Sequence, residues 1–246
     1  MDRLGRFIFP YAIFMAVMVV VPLLILGGKV FWDPEGHFTL EYIKYLGTQE
    51  VRNTFLFSFG VAIRTTVLCL LLAYPAGYFI SRRRFGFPEQ ILLFMLLPMA
   101  VNMLLYTFSR LALFDIAGIP LGNVTLYIGL VANYLPFVIQ PIANCLKQVD
   151  ESYEEASADL GASRAATFFR VILPLSMPGI VGGVSMVLLP SLSSFAISEL
   201  LTMNKVRLFG SIIESSFNRG MIGNGAVMAL MMFALTIVTE LIDNDD

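Results

Sequence analysis

The side chains that could carry covalent or metal chemistry in this 246-residue chain are few and poorly placed for it. His37 is the only histidine, which excludes H-E-x-x-H and every other histidine-based metal site. Cys69 and Cys145 both fall inside apolar segments. Small buried side chains are expected there, not a disulfide or a metal site. No Gly-x4-Gly-Lys-Ser/Thr loop is present to cradle phosphates, so ATP hydrolysis is not expected on this chain. Catalytic, cofactor-binding and metal-ligating residues are accordingly expected to be none. An intramembrane enzyme would need a nucleophile–base pair or metal ligands at membrane depth, and the sequence offers neither.

What remains is the chemistry of charge at depth. Arg64, Arg110 and Glu199 lie within apolar stretches, where an unpaired charge costs a few kcal/mol or more. Arg64 is about ten residues into its stretch, roughly 15 Å deep at the helical rise. It is expected to meet a carboxylate or carbonyl, in a structural ion pair. Arg110 and Glu199 sit near stretch ends and are expected to reach the interface.

The longest polar interval between two apolar blocks is DESYEEASADLGASRAATFFRVILPLSMP, residues 150–178. It reads as two short helices with a glycine between them. Ser152 followed by Glu155 fits a capping box, so a helix is expected to start near Tyr153. Gly161 fits the left-handed residue that closes a helix. Ser163 can cap the next helix, which is expected to stop before Pro174.

These residues must be positioned by membrane helices. The chain is 57% hydrophobic and 14% charged, with a mean hydropathy of +0.78, whereas soluble domains carry about 25% charged residues. Six stretches approach the ~20 apolar residues needed to span a bilayer: 7–30, 54–80, 91–114, 122–146, 175–201 and 224–242. The fourth is the most polar, holding Asn133, Gln140 and Asn144. Residues 7–30 are too long for a signal-peptide core and lack an A-x-A-like site, so they read as an uncleaved first span. Arg82, Arg83 and Arg84 place their loop, the 147–173 loop and both termini in the cytoplasm. The net charge of −2 is spread over scattered loops and points to no nucleic acid. The outer loop 31–53 holds Trp32, Tyr42 and Tyr45 among acidic residues and reads as an interfacial aromatic belt; a docking surface for an extracellular binding protein is the alternative.

Glu155-Ala156-Ser157, three residues, Gly161, nine residues, then Val171-Ile172-Leu173-Pro174 resembles the EAA loop of ABC-importer permeases, whose pattern is EAA, x3, G, x9, I-x-L-P. The resemblance implies an all-α membrane protein with six transmembrane helices of the type I importer permease kind. It also implies one permease domain, residues 1–246, with a cytoplasmic coupling-helix loop, 147–174, between helices 4 and 5. ATPase coupling would fall on Tyr153, Glu154, Glu155, Ala156, Ser157, Asp159, Leu160, Gly161, Ala162 and Ser163.

Further matches resemble the PotB-type spermidine/putrescine branch of these permeases. They are Val21-Pro22-Leu23, Asn53-Thr54, Ala73-Tyr74-Pro75-Ala76-Gly77-Tyr78, Pro98, Tyr134-Leu135-Pro136-Phe137 and Ser198-Glu199-Leu200-Leu201. The segment 103–108, after the third-helix proline, departs from the branch's pattern. The resemblance implies a multi-pass protein of a bacterial-type inner membrane, working with a second, PotC-like permease, two ATPase subunits that use ATP and Mg, and a PotD-like solute-binding protein. A polyamine is a long cation with apolar spacers, so its site would need carboxylates and aromatic faces. Tyr106, Ser194, Phe195 and Glu199 are the candidates for such a pathway. An oxyanion, a metal or another small solute is the alternative, and Arg64 and Arg110 would suit an oxyanion. A non-transporting membrane assembly factor is the reading from another class.

Overall fold

The computed structural model describes residues 2–33, 35–82 and 88–244. Arg83 and Arg84, used above for orientation, lie outside the described residues. Nearly every described residue is helical. The one β-bridge among them joins Trp32 to Phe38.

Helices α1 (Asp2–Met15) and α2 (Val21–Phe31) are continuous through a π-helical turn at Ala16–Val20. A short α3 (Glu41–Leu46) precedes the long α4 (Gln49–Ser81). Then come α5 (Pro88–Ala100), α6 (Met103–Ile116) and α7 (Asn123–Gln148). The polar interval forms α8 (Ser152–Asp159) and α9 (Arg164–Thr167), which continues through a π-helical turn (Phe168–Ile172) into α10 (Leu173–Leu175). The chain ends with α11 (Met177–Leu192), α12 (Ala196–Thr202), α13 (Phe209–Asn218) and α14 (Ile222–Asn244).

Four helical stretches are long and apolar enough to cross a membrane: Phe9–Phe31, Gln49–Ser81, Asn123–Gln148 and Ile222–Thr239. Two bent pairs raise the number to six if each is one span: Leu92–Ala100 with Met103–Ile116, bent by 103°, and Arg164–Leu175 with Met177–Leu192, bent by 63°. Two apolar stretches are therefore not the straight spans that hydropathy implied. Stretch 91–114 breaks at Val101-Asn102, where the Asn102 side chain caps α6 by accepting the amides of Leu104 (2.9 Å) and Leu105 (3.4 Å). Stretch 175–201 breaks at 193–195, so α11 and α12 are separate helices. The helix expected to stop before Pro174 runs on to Leu175. Its π-helical turn routes the Leu173 amide to the Phe168 carbonyl, and this widened turn makes room for the proline. The three breaks follow Pro98, Pro174 and Pro190 by two or three residues.

The chain forms two compact units. One comprises Met1–Thr54 with Ile212–Val238, the other Phe55–Ser211 with Thr239–Asp246. In the first, the Tyr42 ring lies against Gly223, where a Cβ would come within 2.4 Å of the ring. Trp32 and Phe38, edge to face at 6.4 Å, are 54% and 64% exposed, as an interfacial aromatic cluster would be.

In the second unit α7 is the central element. It buries Leu126, Leu130, Val138, Ile139, Ile142 and Leu146. Gln140 and Asn144 are exposed and Asn133 half-buried; their spacing puts all three on one face, which accounts for the polarity of that stretch. Both cysteines are free, Cys69 fully buried and Cys145 directed at the Leu175 carbonyl, 3.7 Å away. Helix α11 packs closely on α7 because it offers glycines there. A Cβ at Gly179 would lie 2.7 Å from Cys145 Cβ and 2.9 Å from the Pro141 carbonyl oxygen, whereas one at Gly182 would meet Pro141 at an ordinary 3.8 Å. Gly179→Leu should therefore force the two helices apart, at a cost of about 1–3 kcal/mol or more. We expect a lowered thermal midpoint for the purified Gly179→Leu protein, with Gly182→Ala close to wild type.

Candidate functional site

Helix α8 is set by its neighbours more than by its own propensity. The expected capping box does not form: α8 begins at Ser152 itself, and its N-cap is Glu151, which makes no side-chain cap hydrogen bond. Asp150 does that work. Its Oδ1 accepts the Ser152 amide at 2.8 Å, satisfying one of the orphan donors at the helix start. Glu155, freed from the box, is exposed. The other end matches the sequence reading. Gly161 has φ +78° and its amide reaches the Ala158 carbonyl (2.9 Å), while the Ala162 amide reaches that of Ser157 (3.1 Å). Ser163 caps α9 by accepting the Ala166 amide at 3.2 Å. A Ser157–Thr167 hydroxyl contact of 2.9 Å ties α8 to α9.

The C-terminal end of α4 holds this two-helix loop. Arg82 Nη1 donates to the Val149 carbonyl at 2.8 Å, and Nη2 lies 2.6 Å from Glu154 Oε1. The second contact is ionic more than a well-angled hydrogen bond. The Arg82 side chain is 5% exposed and that of Glu154 25%. The Tyr78 hydroxyl sits 3.3 Å from both carboxylate oxygens of Glu154 and donates to them. Phe168 packs edge to face on Tyr74 (5.5 Å) and Tyr78 (6.4 Å). Beside them runs a groove of about 650 Å³, whose walls include Tyr74, Phe79, Glu155, Arg164 and Ile172. Sequence reading missed Tyr74, Tyr78 and Arg82 as partners of this loop; the signal was their spacing of four, which puts them on one helix face.

The ten residues expected to couple lie within 153–163, running from α8 to the cap of α9, with Ala158 alone left out. Tyr153, Glu155, Ala156, Asp159, Leu160, Gly161 and Ser163 are exposed; Glu154, Ser157 and Ala162 are half-buried. Tyr153, Ala156 and Leu160 follow the i, i+3, i+7 spacing of one helix face. Tyr153 is 53% and Leu160 88% exposed.

The solute-pathway candidates lie elsewhere. Tyr106 is on α6 and Glu199 on α12, two helices that pack on each other and on α7. Ser194, buried, and Phe195, exposed, form the break between α11 and α12. Arg110 does not reach an interface as expected. It is 6% exposed, donates from Nη1 to the Gly129 carbonyl at 2.8 Å, and stacks its guanidinium 3.7 Å from the Tyr106 ring centroid. That face of Tyr106 therefore already carries an internal cation.

Arg64 also departs from expectation. It is exposed within this chain, and its Nη1 meets a phenol, Tyr127, at 3.3 Å. Its depth follows from register. Arg82 is tied to Val149, and Arg64 stands 18 residues from Arg82, while Tyr127 stands 22 from Val149. At the helical rise these are about 27 and 33 Å, close to the ~30 Å hydrocarbon thickness. Arg64 thus stands about one hydrocarbon thickness from α8 along α4, and α4 extends beyond it to Gln49.

Hydrogen bonds from Ser152, and secondarily the charge of Arg82, hold the Asp150 carboxyl below its ordinary 3.8. A depressed carboxyl stabilises the fold above its ordinary value, and that contribution is lost as pH falls through the folded value. In Asp150→Ala, amide exchange at residues 152–155 should speed up at neutral pH. Wild-type protection there should fall only in acid below about pH 4, and this acid step should be missing in the variant.

Residues 73–244 match the family model described as "Binding-protein-dependent transport system inner membrane component". The "Spermidine/putrescine transport system permease protein PotB" of Haemophilus influenzae is 32% identical over 204 residues, covering 72% of this chain and 71% of that protein. The "Molybdenum transport system permease protein ModB" of Mycobacterium tuberculosis is 28% identical, covering 78% and 75%. Among solved structures, a bacterial ABC transporter involved in the import of the acidic polysaccharide alginate matches with a TM-score of 0.68 at 13% identity, covering 99% of this chain and 96% of that one. On the family match and the PotB relative together, the chain belongs to the binding-protein-dependent transport system inner membrane components and is a permease subunit of an ABC importer.

Proposed function

We propose that loop 147–174 is the element through which partner ATPase subunits drive this permease. The observation that carries the reading is the exposed stripe Tyr153, Ala156 and Leu160 on a helix pinned at both ends. A leucine 88% exposed beside a small alanine is the kind of apolar knob that a groove on another protein covers. The loop then lies in the cytoplasm with both termini, and the chain acts as one permease domain. It pairs with a second, PotC-like permease and receives solute from a PotD-like extracellular binding protein. ATP and Mg are used on the ATPase subunits. Closure of the ATPase pair shifts the helix bundle between inward-open and outward-open states, which requires ligands that bind the two states unequally; ATP and the loaded binding protein meet that requirement.

The solute we infer is a polyamine, spermidine or putrescine, supported by the PotB relative and by a carboxylate at Glu199. A second reading, an oxyanion, is supported by the ModB relative and by the buried Arg110. Glu199→Gln separates them. We expect weaker spermidine or putrescine uptake at normal complex levels, and unchanged uptake kinetics would favour the oxyanion.

Gly161→Val tests the coupling reading. A Cβ at Gly161 would meet nothing within 4 Å, so the substitution acts through the backbone alone, disfavouring the left-handed turn by about 1–2 kcal/mol. We expect the variant to remain in the membrane while uptake is lost and ATPase co-purification weakens. Wild-type values for both in the same membranes would remove the loop from this role.

A further inference from the structure

Tyr74, Tyr78 and Arg82 are spaced by four at the C-terminal end of α4 and form one stripe on it. All three make polar contacts to the chain beyond α7. Arg82 and Tyr78 hold Glu154 of α8, and Arg82 also holds the carbonyl that leads into it. Tyr74 reaches Ser176, 2.8 Å from hydroxyl to hydroxyl. Ser176 Oγ already donates to the Leu173 carbonyl at 2.9 Å, so its one proton is used and Tyr74 is the donor. Ser176 is fully buried and stands at the 63° bend between Arg164–Leu175 and Met177–Leu192. One helix face therefore grips both α8 and the hinge at the foot of α11.

The groove alongside decides how that grip works. It separates Tyr74, Pro75, Tyr78 and Phe79 of α4 from Ala158, Ala162 and Thr167 of the two-helix loop. Helix α8 is not moulded onto α4 by continuous packing. The ion pair and the hydroxyl contacts tie it to α4, with Phe168 as an apolar wedge packed on the two tyrosines. Such a linkage carries a push or pull along a few directional bonds, and it has an open volume beside it in which the loop can tilt.

We propose that the Tyr74–Tyr78–Arg82 stripe is the transmission between α8 and the Ser176 hinge. Its residues are positioning residues: displacement of α8 reaches the bend below α11 through them. The proposal rests on the reading that the ATPase docks at α8, and its test separates the two.

In the complete complex with its ATPase, with Cys69→Ser and Cys145→Ser as background, spin labels on Phe169→Cys and Val181→Cys report the distance across the bend. Both positions are exposed in this chain. The probe is ATP, so no knowledge of the solute is needed. Wild type should show an ATP-dependent change in this distance. In Arg82→Gln, ATPase co-purification should stay at wild-type yield while the fraction of shifted complexes falls on the order of tenfold. Tyr78→Phe, a milder change, should give a smaller loss in the same direction. The exchanged pair Arg82→Glu with Glu154→Arg should recover part of the shift, which a merely destabilised loop would not. The proposal is overturned by a full shift in Arg82→Gln, by no shift in wild type, or by loss of ATPase binding in Arg82→Gln, which would make Arg82 a docking residue. Wild-type ATPase binding in Gly161→Val would instead count against docking at α8, whatever the labels report.

Discussion

Lipid offers a backbone nothing to bond with, so every interruption of a spanning helix must supply its own hydrogen-bond partners. This constraint shapes all three breaks in the apolar part of the chain. At Val101-Asn102 the asparagine side chain takes up two amides of the next helix. At Ser176 the hydroxyl returns to the Leu173 carbonyl and receives Tyr74. At 193–195 the Pro190 carbonyl accepts Tyr134 at 3.0 Å and the Ser193 hydroxyl at 3.2 Å, while Ser191 and Ser198 return their hydroxyls to the Leu188 and Phe195 carbonyls. The preceding prolines explain why the helices fail there; the serines, the asparagine and the tyrosines explain why failure is tolerated.

The same constraint governs the charged residues. A buried guanidinium is costly unless its charge is met. Arg110 meets a carbonyl and an aromatic face, so it acts as a strut between α6 and α7. Arg82 meets a carboxylate and a carbonyl, so it is a strut between α4 and the α7–α8 junction. Both are arginines, whose forked donors can serve two acceptors at once where a lysine would present a single point charge. The bent helices are thus held at the points where a simple apolar packing surface would let them slide.

How much of this was legible in the sequence depends on whether the signal was local. Gly161 and Ser163 announced the turn between α8 and α9, because each acts on amides within three residues of itself. Ser152 misled, because Asp150 is an equally good cap two residues earlier and a carboxylate is the stronger acceptor at a helix N-terminus. Hydropathy could not see the breaks in 91–114 and 175–201, since it scores a straight span and a bent one alike. Pro174 was read as a stop because the rule assumes an α-helical ladder, and the chain shifted to a π-helical turn instead. The partners of Arg64, Arg82 and Arg110 are 63, 67 and 19 residues away, and no local pattern encodes them.

The solute-pathway candidates show where a chemical reading needs the fold. Tyr106 and Glu199 were chosen because an aromatic face and a carboxylate suit a cation. Those residues do lie on packed helices, yet the nearest cation to Tyr106 is the chain's own Arg110. A face already neutralised by a tethered guanidinium attracts a second cation less, since the two would repel across a few ångströms in a medium of low dielectric. On the proposed cation pathway, reception of a solute at Tyr106 would depend on whether Arg110 stays on the ring when the helices rearrange. Its carbonyl partner belongs to Gly129, where a Cβ would come within 2.2 Å of Leu201. Any movement of α12 against α7 must pass through that contact, and so must alter the seat of the one cation that Tyr106 holds.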